Sequence, residues 1–340
     1  MIIIMLLISF ILSALATAVL IPILRRLKFG QAILQIGPSW HNKKNGTPTM
    51  GGIGFIFAIV LSTIMALSVY RVYYIMPIES SHSNTAFLWP SLFDVSSLSI
   101  LVFAFAFGAI GFLDDYLKVI LKQNQGLKAY QKFGLQFIVA AIGICFLYFS
   151  GNISSEIVIP FTNGLIFNLG IWYIPIMIFV VLAIVNAVNL TDGIDGLATT
   201  VTIIVLIFFA IISYSIIGGA YWIAIISIGA LLGFLIFNYN PAKVFMGDTG
   251  SLFLGGLVAF FVVILQNPLI ILLAGIVYVI ETLSVVLQVT YFKITKGKRL
   301  FLMTPIHHHF EKKGWNEKRI VGVFSLVTII TCIIAYFGTV

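Results

Sequence analysis

Ten apolar stretches dominate this chain, and they restrict its fold more than any other feature. Each is about as long as the roughly 17–25 residues that a helix needs to cross a bilayer. They lie at about 2–24, 51–71, 97–113, 133–150, 171–189, 198–217, 220–237, 251–267, 269–292 and 319–339. Of the 340 residues, 61% are apolar and only 9% charged, too few for the polar shell of a soluble domain. We therefore predict an all-α polytopic membrane protein of about ten transmembrane helices, in a single domain spanning 1–340.

The basic residues predict how these spans are oriented. One set of loops (25–50, 114–132, 190–197, 238–250 and 293–318, with Arg319 at the boundary) holds 18 of the 19 lysines and arginines, and Arg71 is the exception. Because basic residues accumulate in cytoplasmic loops, we expect this side to be cytoplasmic and both termini to lie outside. On the outer side, the Asn163–Gly164 pair within 157–168 predicts a short β-hairpin. The net charge of +8 then reflects topology first, and nothing favours nucleic-acid binding.

Five aspartates at the ends of apolar stretches form the candidate site. They are Asp114 and Asp115 in GFLDDYLK, Asp192 and Asp195 in NLTDGIDGLA, and Asp248 in FMGDTGS. A carboxylate beside the hydrocarbon costs several kcal/mol unless it is solvated, paired or bound to a metal, so acids placed there indicate function. All five fall on the predicted cytoplasmic side. The leading hypothesis is a site for a divalent cation and phosphate.

The acidic segments are expected to work in different ways. Asp114 and Asp115 are helix neighbours whose side chains point about 100° apart, so one would contact metal or substrate and the other a second group. Asp192 and Asp195 would share a face if their segment is helical, although Asp192 could simply cap the next span. Asp248 lies between glycines just before a span, where it can anchor Mg²⁺, a cation that takes oxygen ligands. Ordinary helix capping or solvation is the alternative for each.

Polar residues near the last spans complete the candidate site. His307, His308 and His309 are consecutive, which does not match helical zinc spacing because adjacent side chains diverge. As donors to phosphate oxygens they fit better, and a solvated histidine run is the alternative. Glu281 and Gln288 interrupt the ninth apolar stretch, which predicts a helix that is bent or lines a polar groove.

Five segments, taken in order, resemble one family over nearly the whole chain. GPSWHNKKNGTPTMGG, GFLDDYLK, NLTDGIDGLA, FNYNPAKVFMGDTGSLFLGG and PIHHHFEKKGW are similar to the phospho-N-acetylmuramoyl-pentapeptide transferase family of the polyprenyl-phosphate N-acetylhexosamine-1-phosphate transferases. The resemblance implies transfer of phospho-MurNAc-pentapeptide from UDP-MurNAc-pentapeptide to undecaprenyl phosphate, giving lipid I and UMP. It implies Mg²⁺ as cofactor and an active site on the cytoplasmic face of a bacterial inner membrane. It is also compatible with a homodimer.

The same resemblance implies individual roles. Asp248 would hold Mg²⁺, Asp114 would act as base or position the acceptor phosphate with Asp115 beside it, and His307 would steady phosphates. The residues implied to bind the uridine, the pyrophosphate or other phosphates are Lys118, Lys128, Asn189, Asp192, Asp195, Asn238, Phe245, Gln288, His308 and His309. A groove near the ninth span would hold the prenyl tail. Direct attack and a covalent intermediate both remain open.

Two other functions stay in view. A sister enzyme would transfer GlcNAc-1-phosphate to a similar lipid, and the TPTMGG and HHHFEKKGW segments favour the muramoyl enzyme over it. A cation or phosphate transporter would place its acids at mid-membrane and would commonly contain repeats, whereas these acids gather at one interface.

Overall fold

The computed structural model describes residues 2–27, 44, 46–75, 95–121, 125–216 and 219–339. Most of the GPSWHNKK part of the first motif and most of the outer polar loop expected at 72–96 lie outside these residues. The long helices are α1 (Ile2–Arg26), α2 (Gly52–Ile75), α3 (Val95–Ile120), α4 (Ala129–Phe149), α5 (Tyr173–Thr191), α6 (Leu197–Ile216), α7 (Ala220–Asn238), α8 (Gly247–Ile264), α10 (Ile276–Ile294) and α12 (Glu317–Phe337). Two short helices, α9 (Ile271–Ala274) and α11 (Ile306–Lys312), complete the set.

Within the described residues, ten helices are long and apolar enough to cross a membrane. Apolar side chains account for their length, and the helical form follows because lipid offers no partner to an unpaired backbone N–H or C=O group. The predicted all-α polytopic fold is confirmed.

Helix α8 lies at the centre of the bundle. It packs against α3 and α5, with further contacts to α2 and α6, and nearly all of its residues are buried. Glycines let the backbones approach: a Cβ at Gly255 of α8 would meet the backbone of Val185 on α5, and one at Gly111 of α3 would overlap the carbonyl of Asp248. The close α3–α8 contact brings the end of one helix beside the start of the other.

Two helix boundaries at the candidate site differ from the sequence-based ones. Helix α3 continues beyond the predicted end at 113 to Ile120, so it contains Asp114, Asp115 and Lys118. Helix α8 begins at Gly247 and has Asp248 in its first turn. These acids are paired with lysines, so the helices continue through them. The ninth span, predicted to bend or to line a polar groove, breaks at Gly275 between α9 and α10, whereas α10 continues through Glu281 and Gln288.

The predicted β-hairpin is also confirmed. Strand β1 (Glu156–Val158) pairs antiparallel with β2 (Ile166–Asn168), with Ile157 opposite Phe167. Asn163 and Gly164 both adopt positive φ, at 52° and 84°. They lie inside a longer connection that spans 159–165, rather than forming a two-residue turn.

Candidate active site

Three carboxylates meet where α3 passes the start of α8. Oxygens of Asp114, Asp115 and Asp248 all lie within 4.8 Å of one another. Asp114 and Asp115 are 3% and 2% exposed. Carboxylates this close and this buried repel strongly, so the cluster requires nearby positive charge.

Two lysines supply that charge. Lys118, one turn after Asp114 on α3, places its Nζ 2.6 Å from Asp114 Oδ2 and 3.7 Å from Asp115 Oδ1, and it also pairs with Asp248 at 2.5 Å. Lys132, near the start of α4, lies 3.1 Å from Asp248 Oδ2 and 3.9 Å from Asp114 Oδ2. Three negative and two positive formal charges leave the cluster with a net charge of −1.

Asp114 and Asp115 point to different partners, as neighbours on a helix must. Asp115 Oδ2 accepts hydrogen bonds from the backbone N–H of Thr249 at 2.9 Å and from its hydroxyl at 2.8 Å, which ties α3 to the first turn of α8. Asp114 Oδ1 accepts from the backbone N–H of Leu127 at 2.7 Å, while its other oxygen faces Lys118. Asp114 and Asp248 therefore share the lysines, and Asp115 holds the helices together.

The cluster has the chemistry of a site for a hard cation. Its donors are all carboxylate oxygens, which suit Mg²⁺ better than the nitrogen and sulfur ligands of zinc. The ammonium of Lys118 lies among the three carboxylates, so this position already accommodates a cation. The residues that could hold a divalent ion are Asp114, Asp115 and Asp248.

Helix α5 and the turn after it bring further polar groups to the cluster. Asn189 Nδ2 donates to Asp248 Oδ1 and to Ser251 Oγ, both at 2.7 Å. Asp192 follows the end of α5. Its pKa is raised well above the usual value, first by burial and then by the charges of neighbouring carboxylates, of which Asp248 has the largest effect. Asn189 and Asp192 thus lie beside the acidic cluster.

The segment that carries Asp192 and Asp195 is not helical, so the shared helical face that a helix would have given these acids is not formed. Helix α5 ends at Thr191, and the chain turns before α6 begins at Leu197. Asp195 instead faces Lys44, whose Nζ lies 2.6 Å from its Oδ1. A glycine follows each acid, and Gly196 adopts a positive φ of 77°, which favours a turn over a continuous helix.

The loop between α7 and α8 is fixed to this turn. Asp195 Oδ2 accepts from Asn240 Nδ2 at 3.1 Å and from the backbone N–H of Ala242 at 2.9 Å. Phe245, on the same loop, is partly exposed, and Lys44 Nζ lies 6.0 Å from its ring centroid. Asn238 is buried, accepts from Thr199 Oγ1 at 2.7 Å and donates to the carbonyl of Val244 at 3.1 Å, so it shapes this loop from inside.

The three histidines diverge from the short helix α11. His307 is fully buried, and its Nδ1 lies 3.0 Å from Glu281 Oε2 on α10. Its Nε2 has no hydrogen-bond partner among the described residues and lies against Gly193, where any Cβ would overlap it. His308 Nδ1 lies 2.6 Å from Glu311 Oε2. His307 thus reaches the turn that carries Asp192.

His309 makes local contacts instead. Its Nδ1 accepts from the backbone N–H of Leu302 at 3.1 Å, which requires this nitrogen to be unprotonated. Burial, followed by the charge of Lys313, lowers the pKa of this imidazole. The neutral form of His309 therefore fixes the segment before α11 through this hydrogen bond.

Two predicted residues lie away from the acidic cluster. Gln288 Oε1 accepts from the backbone N–H groups of Leu300 and Phe301 at 3.1 and 2.8 Å. It lines a cavity of about 360 Å³ with Val289, Phe292, Lys293, Arg299, Phe301, Met303, Thr304 and Lys312. Lys128 is exposed before the first residue of α4 and forms no ion pair with the cluster in the part of the chain that is described; its Nζ lies 6.0 Å from the Tyr130 ring.

Sequence reasoning missed several residues of this site. Lys132, Lys44, Thr249 and Glu317 contact the predicted aspartates, yet none was singled out as a site residue. Lys132 offers one signal in retrospect, because it is a cation at the edge of an apolar stretch, at the same interface as Asp114. The others depend on contacts between distant segments.

Comparison with known proteins places the chain in a family. Residues 97–266, which include all five aspartates at the ends of apolar stretches and the lysines of the cluster, match the family model described as glycosyl transferase family 4. The phospho-N-acetylmuramoyl-pentapeptide-transferase of Clostridium novyi (strain NT) is 47% identical over 336 residues, which cover 98% of this chain and 95% of the relative. The protein of the same name from Clostridium perfringens (strain 13 / Type A) is 48% identical over 332 residues, 97% of this chain and 96% of the relative. At this identity, over nearly its whole length, the chain belongs to the phospho-N-acetylmuramoyl-pentapeptide-transferase family.

Proposed function

We propose that this chain transfers phospho-MurNAc-pentapeptide from UDP-MurNAc-pentapeptide to undecaprenyl phosphate, giving lipid I and UMP. A phosphate oxygen of the acceptor attacks the sugar-linked phosphorus of the donor, the pyrophosphate P–O bond breaks, and UMP leaves with the bonding electrons. The observation that carries the proposal is the meeting of three carboxylates and two lysines in an apolar bundle. Phosphoryl transfer depends mainly on positioning and charge neutralisation, and this cluster is suited to both.

The site is proposed to face the cytoplasm of a bacterial inner membrane. The cluster lies at the C-terminal end of α3 and the N-terminal end of α8, which is the end of the bundle that carries the lysine-rich loops. Positive loops favour the cytoplasmic side, where a UDP-linked donor is available. The acceptor's polar head would lie at the same interface with its prenyl chain in lipid.

Mg²⁺ is the proposed cofactor, held by Asp248 with Asp114 and Asp115. Bound there, it would neutralise the pyrophosphate oxygens of the donor. Lys118 and Lys132 would exchange carboxylate partners for phosphate oxygens as the substrates arrive. Asp114, which shares Lys118 with Asp248, would position the acceptor phosphate or accept its proton, while Asp115 keeps α3 and α8 in register.

The nucleotide is proposed to bind between the α5–α6 turn and the α7–α8 loop. Phe245 offers a ring for the uracil, Asp195 and Asn189 offer polar contacts, and Asn238 shapes the loop from inside. Asp192, on the α5–α6 turn, offers a further polar contact to the phosphates. His307 would present its unpaired Nε2 on the same side.

The outer parts of the substrates would meet α10 and α11. His308, His309 and Gln288 belong to this region, and the cavity beside Gln288 combines cationic with apolar walls. The apolar, exposed face of α10, which includes Leu283, Val286 and Leu287, would carry the prenyl tail. Lys128, at the exposed start of α4, would assist phosphate approach by its charge.

UMP release tests the proposal directly. Purified protein should release UMP from UDP-MurNAc-pentapeptide only when undecaprenyl phosphate and Mg²⁺ are both present. Wild-type protein that releases none under these conditions would refute the proposal. Rapid UMP formation without acceptor would instead indicate a covalent intermediate or hydrolysis.

Donor selectivity separates this function from that of the sister enzyme. The last predicted cytoplasmic loop is rich in polar side chains suited to a bulky anionic donor, and such sites reject analogues that leave polar groups unpaired. We expect turnover with UDP-MurNAc-pentapeptide and little with UDP-GlcNAc at equal concentration. His308→Ala should lower kcat/KM for the muramoyl donor without unfolding the protein. Equal or faster use of UDP-GlcNAc would assign the chain to the sister activity.

A further inference from the structure

An ion triad outside the acidic cluster joins separate segments of the chain. Lys44 Nζ lies 2.6 Å from Asp195 Oδ1 and 2.7 Å from Glu317 Oε1. Glu317 Oε2 also accepts a hydrogen bond from the backbone N–H of Asp195 at 3.0 Å. The three residues come from the segment before α2, the α5–α6 turn and the first turn of α12. Glu317 therefore contacts both of the other members.

The triad is continuous with the loop that carries Phe245. The second oxygen of Asp195 binds Asn240 and Ala242 of that loop, and Lys44 lies beside the Phe245 ring. Four segments distant in sequence are thus fixed to one another through Asp195 and Lys44. Charged hydrogen bonds of this kind are short and strong, and they set geometry as well as energy.

Helix formation does not explain Glu317. Asn316 caps α12 by accepting a hydrogen bond from the backbone N–H of Arg319 at 2.8 Å, so the helix has a cap of its own. A carboxylate at a helix start gains from the helix dipole even when fully solvated. Glu317 is instead only 11% exposed and turned toward Lys44 and Asp195. Two carboxylates on one ammonium give the triad a formal charge of −1, an arrangement that a role in helix capping alone would not need.

We propose that Glu317 is a positioning residue for the donor nucleotide, acting by holding Lys44 and the Asp195 turn in place beside Phe245. The inference rests on the proposed function, since it takes Phe245 and Asp195 to meet the nucleotide. Glu317 touches no reacting atom. Its loss should weaken nucleotide binding and leave the chemical step nearly unchanged.

The test combines kinetics with direct binding. Glu317→Gln should raise the donor KM and the Kd for UMP by about tenfold, with kcat within about twofold, because only binding geometry is lost. Lys44→Met should have a similar effect. The double variant should be no worse than the worse single variant, because both substitutions disrupt one triad. Glu156→Gln, the same change on the hairpin strand β1, is the matched control and should alter neither KM nor Kd.

Different results overturn different claims. Additive effects of Glu317→Gln and Lys44→Met on the UMP Kd, an unchanged Kd, or a fall in kcat at constant KM would each refute the positioning role. A lower Tm without any change in Kd would assign Glu317 to helix stability alone. Wild-type protein that binds UMP but releases none from the donor would refute the proposed transfer and leave the binding test of Glu317 intact. Wild-type protein that binds no UMP would overturn both.

Discussion

Replacing Lys118 by methionine is the sharpest test of the acidic cluster. Methionine keeps most of the length of the side chain and removes its charge, so three carboxylates would be left with Lys132, which contacts Asp114 and Asp248. Two unit charges 4.8 Å apart repel by about 3–4 kcal/mol at an effective dielectric constant of about 20. Lys118 is 32% exposed, which weakens its contribution through solvent screening. We expect the free energy of unfolding to fall by about 2–3 kcal/mol when divalent cations are removed.

Magnesium should partly reverse this loss. A cation bound by the carboxylates replaces the missing positive charge, and binding to the folded state alone stabilises it. The assay is thermal unfolding of the detergent-solubilised protein in EDTA and in increasing Mg²⁺. We expect the Tm of Lys118→Met to start about 3–4 °C below that of wild type and to rise more with Mg²⁺.

The control is Lys318→Met, which removes an exposed lysine near Tyr239 and outside the cluster. It should match wild type at every Mg²⁺ concentration. The reasoning fails if Lys118→Met has the wild-type Tm in EDTA. It also fails if Mg²⁺ shifts the wild-type and Lys118→Met proteins by the same amount, since the lysine and the cation would then not share a site.

Three further predictions follow from the same site and its orientation. Asp248→Asn removes a charged ligand while keeping its shape, and it should lower kcat by orders of magnitude; near-normal turnover with unchanged Mg²⁺ dependence would refute the ligand assignment. A cysteine at Lys44 or Lys313 should react with an impermeant reagent only after the membrane is permeabilised, and one at Ser155 without this step; the reverse pattern would overturn the orientation. Because the pKa of Asp192 is raised above 3.8 by burial and then by neighbouring charges, its contribution favours the folded state at low pH and is lost as the pH rises through the raised pKa. The free energy of unfolding of Asp192→Asn should therefore increase relative to that of wild type as the pH rises. A difference in unfolding free energy that stays constant with pH would contradict this.

The sequence alone determined the class of fold and the acidic character of the candidate site. Ten apolar stretches are sufficient to predict ten helices, because lipid forces each of them to pair its own backbone groups. Carboxylates at the ends of those stretches indicated a cation and phosphate site, because their energetic cost there is high. Both inferences use local properties, the length of an apolar run and the charge at its end.

Only the tertiary structure decided which side chains share the site. Lys118 and Asp248 are 130 residues apart, and Lys44 and Glu317 are 273 apart. Whether such residues meet depends on how each helix is rotated and on how closely its backbone approaches the next helix. For α3 and α8, Gly111 permits the close approach. For the same reason, the sequence left open whether Asp192 and Asp195 lie on one helix. The shape of the turn that carries them is fixed by partners from three distant segments, and no pattern within the segment itself encodes these partners.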